Sequence, residues 1–296
     1  MAFLLLLPCE IMGAGKGVSG KHDVFLESSL GKRKVLEGER VIYEVRLFST
    51  DPEIAGFELS ESPGFDNLPW GRGASDSHLK QVERDGKTYY TLVIDRFFIG
   101  AESLGNHNIR GGTYTIGFNR PVRVDNPFWG PSVMNKVETV QLKAPDGKLS
   151  VSAIPSKGRP EDFSGAVGEY VISVSLPDAE IRAGENATLI VTIEGKGDLT
   201  NIPAPDVMRA FREGLHFRSM TDDKEHFISK GNIGSEMQLE CTFSADAPGT
   251  YRILPVTFSY YDSEKGKYET IQTEEIEIEV LPAKDAGGAP PVFHNI

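Results

Sequence analysis

VFLESSLGKRKVLEGERVIYEVRL, residues 24–47, lies without a gap over YVISVSLPDAEIRAGENATLIVTI, residues 170–193. Leu30 falls on Leu176, Val35 on Ile181, Gly38-Glu39 on Gly184-Glu185 and Val45 on Val191. The ends of the two halves match as well. Gly105-Asn-His107-Asn-Ile109 falls on Gly249-Thr-Tyr251-Arg-Ile253, and Thr113-Tyr114-Thr115 on Thr257-Phe258-Ser259. The chain therefore reads as two copies of one folding unit, each turning at a Gly-Glu pair.

The repeated unit is β. Val41, Tyr43, Val45 and Leu47 alternate with Ile42, Glu44 and Arg46, and Ile172, Val174 and Leu176 alternate with Val171, Ser173 and Ser175. Ile276-Glu-Ile-Glu-Val280 alternates most cleanly. Only Asp206–Glu213 invites a helix or a helical turn. Short strands punctuated by Gly, Pro, Asn and Asp predict an all-β chain of two tandem immunoglobulin-like β-sandwich domains. Asp246-Ala-Pro-Gly249-Thr-Tyr251 fits the corner in which a Tyr hydroxyl ties back to the backbone, with His107 in the same place in the first copy. Ile154-Pro-Ser-Lys-Gly-Arg-Pro160 cannot continue a strand, because Pro155 and Pro160 remove donors. The expected organisation is 1–17 an export signal or its remnant, 18–150 the first sandwich and 151–167 a linker. The second sandwich follows at 168–283 and a flexible tail at 284–296.

Composition narrows the function classes. The 296 residues suffice for two ordinary cores, and 39% apolar with 25% charged residues describes a globular protein. Net charge is −12, from 43 acidic and 31 basic residues, and the longest basic run is Lys32-Arg33-Lys34. That argues against nucleic acid, whose phosphates need clustered Lys and Arg. The start Met1-Ala-Phe-Leu-Leu-Leu-Leu7 resembles the apolar part of an export signal, with small residues for cleavage near Gly13 to Gly17. Once such a leader is removed Cys241 is the single thiol, and alternation with Leu239 and Phe243 points it into a core. No stretch has the roughly 18 apolar residues of a membrane-spanning helix.

An ordered string of motifs runs through the second copy: Phe163-Ser-Gly165-Ala-Val167-Gly168, Gly195-Lys-Gly197-Asp-Leu199, Ile202-Pro203-Ala-Pro205, Ala247-Pro-Gly249-Thr-Tyr251, and Phe258-Ser-Tyr260-Tyr-Asp262 with Tyr268-Glu-Thr270. The string resembles BatD-type proteins of the Bacteroides aerotolerance (oxygen tolerance) operon. The first copy fits more loosely, through Gly38-Glu39 and Ile54-Ala-Gly56-Phe57. The resemblance implies an exported, periplasmic or envelope-located protein of immunoglobulin-like domains. It would work beside von Willebrand A-domain and tetratricopeptide-repeat proteins and a MoxR-type ATPase. Asp198 stands where that family usually has Asn, and the carboxy-terminal membrane helix usual in the family has no counterpart in the residues given.

No catalytic set emerges. The histidines (22, 78, 107, 216, 226 and 294) form no HExxH, and no Cys pair supplies a zinc site. His216 and His226 read as sitting across a loop, and Asp222-Asp223 with Glu225 as an exposed acidic loop without the Gly and spacing of a calcium loop. There is no G-x-S-x-G, and Gly13-Ala-Gly-Lys16 is only a fragment of a phosphate loop. No cofactor and no metal are expected, and the chain reads as a non-enzyme. Glu275, Glu277 and Glu279 read as a solvated strand face whose charge discourages edge pairing. The candidate contact surface is Asn119–Pro131, read as a loop that carries Arg123, Phe128 and Trp129, with Trp70 in a second loop. The leading function is a protein–protein interaction scaffold, and the alternative is a glycan-binding or adhesion module stacking sugars on Trp70, Phe128 and Trp129.

Overall fold

The computed structural model describes residues 10–19, 22–74, 78–126, 128, 130–178, 180–229 and 232–284. Residues 1–9, Trp129 and residues 285–296 lie outside them, and with these the apolar start and nearly all of the expected tail. The chain is all β and divides into two compact units, one of Met1–Pro155 with Ser229–Ile233 and one of Ser156–Ile228 with Gly234–Ile296.

The strands of the first unit are β1 Glu10–Ser19, β2 His22–Leu30, β3 Lys34–Leu36, β4 Arg40–Ser49, β5 Ile54–Glu61, β6 Trp70–Arg72, β7 Lys80–Arg84, β8 Lys87–Gly100, β9 Gly105–Ile109, β10 Thr113–Asn126, β11 Gly130–Lys143 and β12 Gly147–Ser152. One sheet runs β1-β2-β4-β8-β6 with β7 also on β8; the others run β11-β10-β5 and β3-β12-β9. Alternation sends Val24, Leu26, Tyr43, Val45, Leu47, Ile94, Ile116, Phe118 and Leu149 into one core. The opposite face of the first sheet is not simply polar. Phe25 and Phe48 stack there with Tyr89 edge-on to both as a second small cluster, closed by Arg84 over both Phe rings and paired with Glu27.

The second unit comprises β13 Phe163–Ser175, β14 Ile181–Arg182, β15 Asn186–Gly197, β16 Leu215–Ser229, β17 Asn232–Ala245, β18 Gly249–Ile253, β19 Thr257–Asp262, β20 Lys267–Gln272 and β21 Ile276–Leu281. Its sheets run β16-β17-β15-β13-β19-β20 and β14-β21-β18. The region expected to turn helically is a single short 3₁₀ turn, Val207–Ala210.

The repetition in sequence is a repetition in topology. β3 lies parallel to β12 with Val35 beside Val151, and β14 lies parallel to β21 with Ile181 beside Val280. Gly38 and Gly184 take φ of 89° and 78°, a region costly for a side chain. Each donates its N–H to a carbonyl across the unit, Ala101 and Ala245 respectively, both at 2.9 Å. The corners correspond too. The Tyr251 hydroxyl donates to Ala247 O at 2.8 Å, and His107 Nε2 lies 2.8 Å from Ser103 O, four residues back in each case.

Several segments take positions that the sequence did not suggest. Gly13–Gly17, read as a cleavage region, lies in β1, which pairs antiparallel with β2 from Glu10 opposite Leu30 to Ser19 opposite His22. Within the expected linker, Val151 and Ser152 belong to β12 and β13 begins at Phe163, with 153–162 free of strands. His216, Asp222, Asp223, Glu225 and His226 lie on the long strand β16 rather than in loops. Glu277 and Glu279 face solvent, but β21 is the central strand of its sheet, so their charge guards no edge; Arg252 lies within 3.7 Å of Glu277 and 3.5 Å of Glu275.

Candidate partner-binding ribbon

Asn119–Asn126 and Gly130–Pro131 lie in strands rather than in a loop. β10 and β11 pair antiparallel over their whole length, from Thr113 opposite Lys143 to Asn126 opposite Gly130. β5 accompanies β10 only from Thr113 to Phe118, and Asn119 N–H makes the last contact, to Glu53 O at 2.8 Å. Beyond that point the hairpin continues as a two-stranded ribbon.

Period two determines what the ribbon shows. On the face that is core at the root, Tyr114, Ile116 and Phe118 are buried; farther out the same face carries Arg120, Val122, Val124 and Met134, all wholly or partly exposed. The other face presents Pro121, Arg123, Val133 and Val137, with Val133 70% and Val137 53% exposed. Phe128 at the tip is 87% exposed. Two-stranded ribbons are marginally stable alone, so apolar side chains on both faces of one are unusual in the absence of something to cover them.

The root is clamped. Arg120 Nη1 lies 2.6 Å from Asp51 Oδ2, and its Nε donates to Glu138 Oε2 at 3.0 Å. The guanidinium also covers the Phe118 ring at 5.3 Å. Asp51 is nearly buried, and its Oδ1 accepts the Glu53 N–H at 3.0 Å. Asp51, at the turn before β5, and Glu138, on β11, thus hold the strand where it leaves the sheet.

The sequence-derived site residues do not gather in one place. Phe128 and Arg123 share the ribbon, Arg123 directly opposite Val133. Trp70 lies in β6 of another sheet, half exposed, with its ring 5.7 Å from Phe65 and 5.6 Å from Phe97. Its contacts make it a lid on the first core. Val122, Val124, Val133, Met134 and Val137 were not singled out from the sequence. Their signal was two alternating runs on either side of Pro-Phe-Trp-Gly, a hairpin pattern.

Polar groups elsewhere serve packing. Asp95 is buried and accepts two bonds from Arg72, at 2.8 and 3.1 Å, and one from the Tyr114 hydroxyl at 3.2 Å. Burial, then the Asp95 charge, pushes the Tyr114 hydroxyl well above its ordinary value, so it stays a donor. Burial pushes the Cys241 thiol up to about 11, which keeps it protonated and unreactive. Among the described residues no three His, Cys, Asp or Glu side chains gather to hold a metal ion.

Comparison with known proteins places the second unit. Residues 174–280 match the family model described as BatD DUF11 like domain. That part of the second unit is similar to the BatD-type domain. The match spans β14 to β20 entire and most of β21, so the Gly-Glu turn and the Tyr251 corner both fall inside the BatD-type region, whereas the β10–β11 ribbon lies outside it. No curated protein matches the chain. Among solved structures, an endo-fucoidan hydrolase of glycoside hydrolase family 107 is similar at 10% identity and a TM-score of 0.14, over 82% of this chain and 34% of that one. The chain thus spans about a third of that protein's length, and a likeness at this level carries no argument. Among the described residues, no helix is long and apolar enough to cross a membrane.

Proposed function

We propose that this chain is a non-catalytic, envelope-located protein of BatD type that binds partner proteins through the β10–β11 ribbon. The BatD-type domain supports the system, in which von Willebrand A-domain and tetratricopeptide-repeat proteins are the expected partners. The single observation that carries the binding role is the ribbon beyond Phe118, with Phe128, Val133, Met134 and Val137 between 53% and 87% exposed. Apolar anchors on a rigidly rooted element are what a partner pocket recognises, because little ordering entropy is lost on docking.

The test is site-specific photo-cross-linking in cells, with the reactive group at Val133 or Met134 and a control at the equally exposed Met208 of the second unit. Adducts to von Willebrand A-domain or tetratricopeptide-repeat proteins from the ribbon positions and none from Met208 are expected. Equal labelling from all three positions would remove the ribbon from the interface.

A further inference from the structure

β11 is the outer strand of its sheet; among the described strands its hydrogen-bonded neighbour is β10 alone. Its row of outward N–H and C=O groups is long, and residues 131–139 are exposed throughout. Proteins normally guard such an edge with proline, charge or a covering element. The neighbouring edge of the ribbon has that guard in Pro121, in the part of β10 that β5 does not reach. On β11 the one proline is Pro131, beside the tip, which leaves Ser132 to Lys143 able to donate.

The charges on this edge are unbalanced in a specific way. Arg120 and Lys136 stand directly opposite each other in the β10–β11 register, a like-charge pair that costs stability. Arg120 is neutralised by Asp51 and Glu138. Lys136 points from the same face on the open strand, where an acid supplied from beyond the edge would offset it. β11 itself carries that acid two residues farther on.

We infer that β11 pairs antiparallel with β11 of a second copy of this chain, about a two-fold axis at Val137. In an antiparallel ladder the local two-fold passes between directly opposite residues, so self-pairing is centred on one residue. Centred on Val137, the pairing sets Lys136 opposite Glu138 of the second copy, and Glu138 opposite that copy's Lys136. Asn135 then faces Thr139, Met134 faces Val140, and Val137 faces itself. Neighbouring registers lack this match. An axis on Lys136 or on Glu138 opposes like charges, one on Asn135 puts Lys136 against Met134, and one on Met134 puts it against Ser132. The pairing joins β5-β10-β11 of both copies into one continuous sheet. The paired span includes Met134 and Val137 of the partner-binding ribbon, but the pairing is read from self-association of the chain alone and does not rest on that reading.

Charge exchange in the full chain tests both the pairing and its register. Sedimentation velocity is run on wild type, Lys136→Glu and Glu138→Lys from low micromolar to several hundred micromolar, then on the two variants mixed. Wild type should dimerise, and each variant alone should dimerise at least about tenfold more weakly, about 1.4 kcal/mol. The mixture should recover wild-type dimer, since both carboxylates of the first variant then face the two ammonium groups of the second. Mixing cannot repair a chain that fails to fold, so recovery also separates register from misfolding. A wild type that stays monomeric overturns the pairing. Variants that dimerise as wild type does, or a mixture that recovers nothing, overturn the register.

Discussion

Replacing Arg120 by Met should loosen the first unit without touching the second. The substitution keeps an unbranched side chain over Phe118 but leaves Asp51, 4% exposed at its side chain, without its cation at 2.6 Å. Breaking a fully buried pair from one side costs about 3–5 kcal/mol. Here Arg120 retains 27% exposure and the contact to Asp51 is an ion pair rather than a well-directed hydrogen bond, so solvent screens part of the attraction. A loss of about 2–3 kcal/mol is therefore expected. With a urea slope of about 1–3 kcal/mol per molar, the midpoint should fall by roughly 1 M. The assay is selective, because both tryptophans lie in the first half of the chain and Trp70 packs on Phe65 and Phe97, so that its emission reports the unfolding of the first unit. The double variant with Asp51→Asn should regain about half of the loss, since no buried charge is then left unpaired. A tryptophan midpoint within about 0.2 M of wild type would refute the clamp.

In the second unit, Gly197 has φ of 141°, and a Cβ there would overlap the Tyr170 hydroxyl and meet Val167 O at 2.6 Å. Gly197→Ala should cost about 2 kcal/mol or more, seen as an earlier far-ultraviolet circular dichroism transition with the tryptophan transition unmoved. Asp262 is held below its ordinary 3.8: desolvation raises it, but the Lys265 ammonium and the N–H groups of Lys265 and Glu264 more than offset this. A depressed carboxyl adds stability above the unfolded value and loses it as pH falls through the folded one. Asp262→Asn should therefore lower the second unit's urea midpoint at pH 7, and the difference from wild type should shrink as acidification protonates the folded carboxyl. In a Cys9→Ser background Cys241 should resist iodoacetamide at pH 8 while folded and react fully in urea; complete labelling within minutes of the native protein would contradict its burial.

What could be read in the sequence was whatever is repeated or local. Gly38-Glu39 and Gly184-Glu185 mark turns at positive φ, and the structure forms both with corresponding carbonyl acceptors, Ala101 and Ala245. Tyr251 and His107 were legible as corners because each needs only a polar ring and a carbonyl four residues back. β1 was hidden, because Gly13, Gly15 and Gly17 weaken any alternation and an apolar start precedes them. The ribbon was hidden for another reason. Pro121, Asn126 and Pro131 signal a loop when β10 is read alone, and only the cross-strand register with Gly130–Lys143 turns them into edge and tip positions. The packing of Trp70 was hidden because its partners, Phe65 and Phe97, come from distant segments. The Arg120 clamp likewise depends on Asp51 and Glu138, which no sequence spacing connects.

The most direct measurement removes the ribbon and keeps its root. Val122–Met134 is replaced by Asn-Gly, a turn suited to joining the directly opposite residues Pro121 and Asn135. Wild type and shortened chain are then used to capture proteins from detergent-solubilised envelope. The expected result is an unchanged tryptophan-emission or circular dichroism melt with loss of the captured von Willebrand A-domain and tetratricopeptide-repeat proteins. Undiminished capture of the same proteins by the shortened chain would contradict the assignment of the ribbon as the binding element.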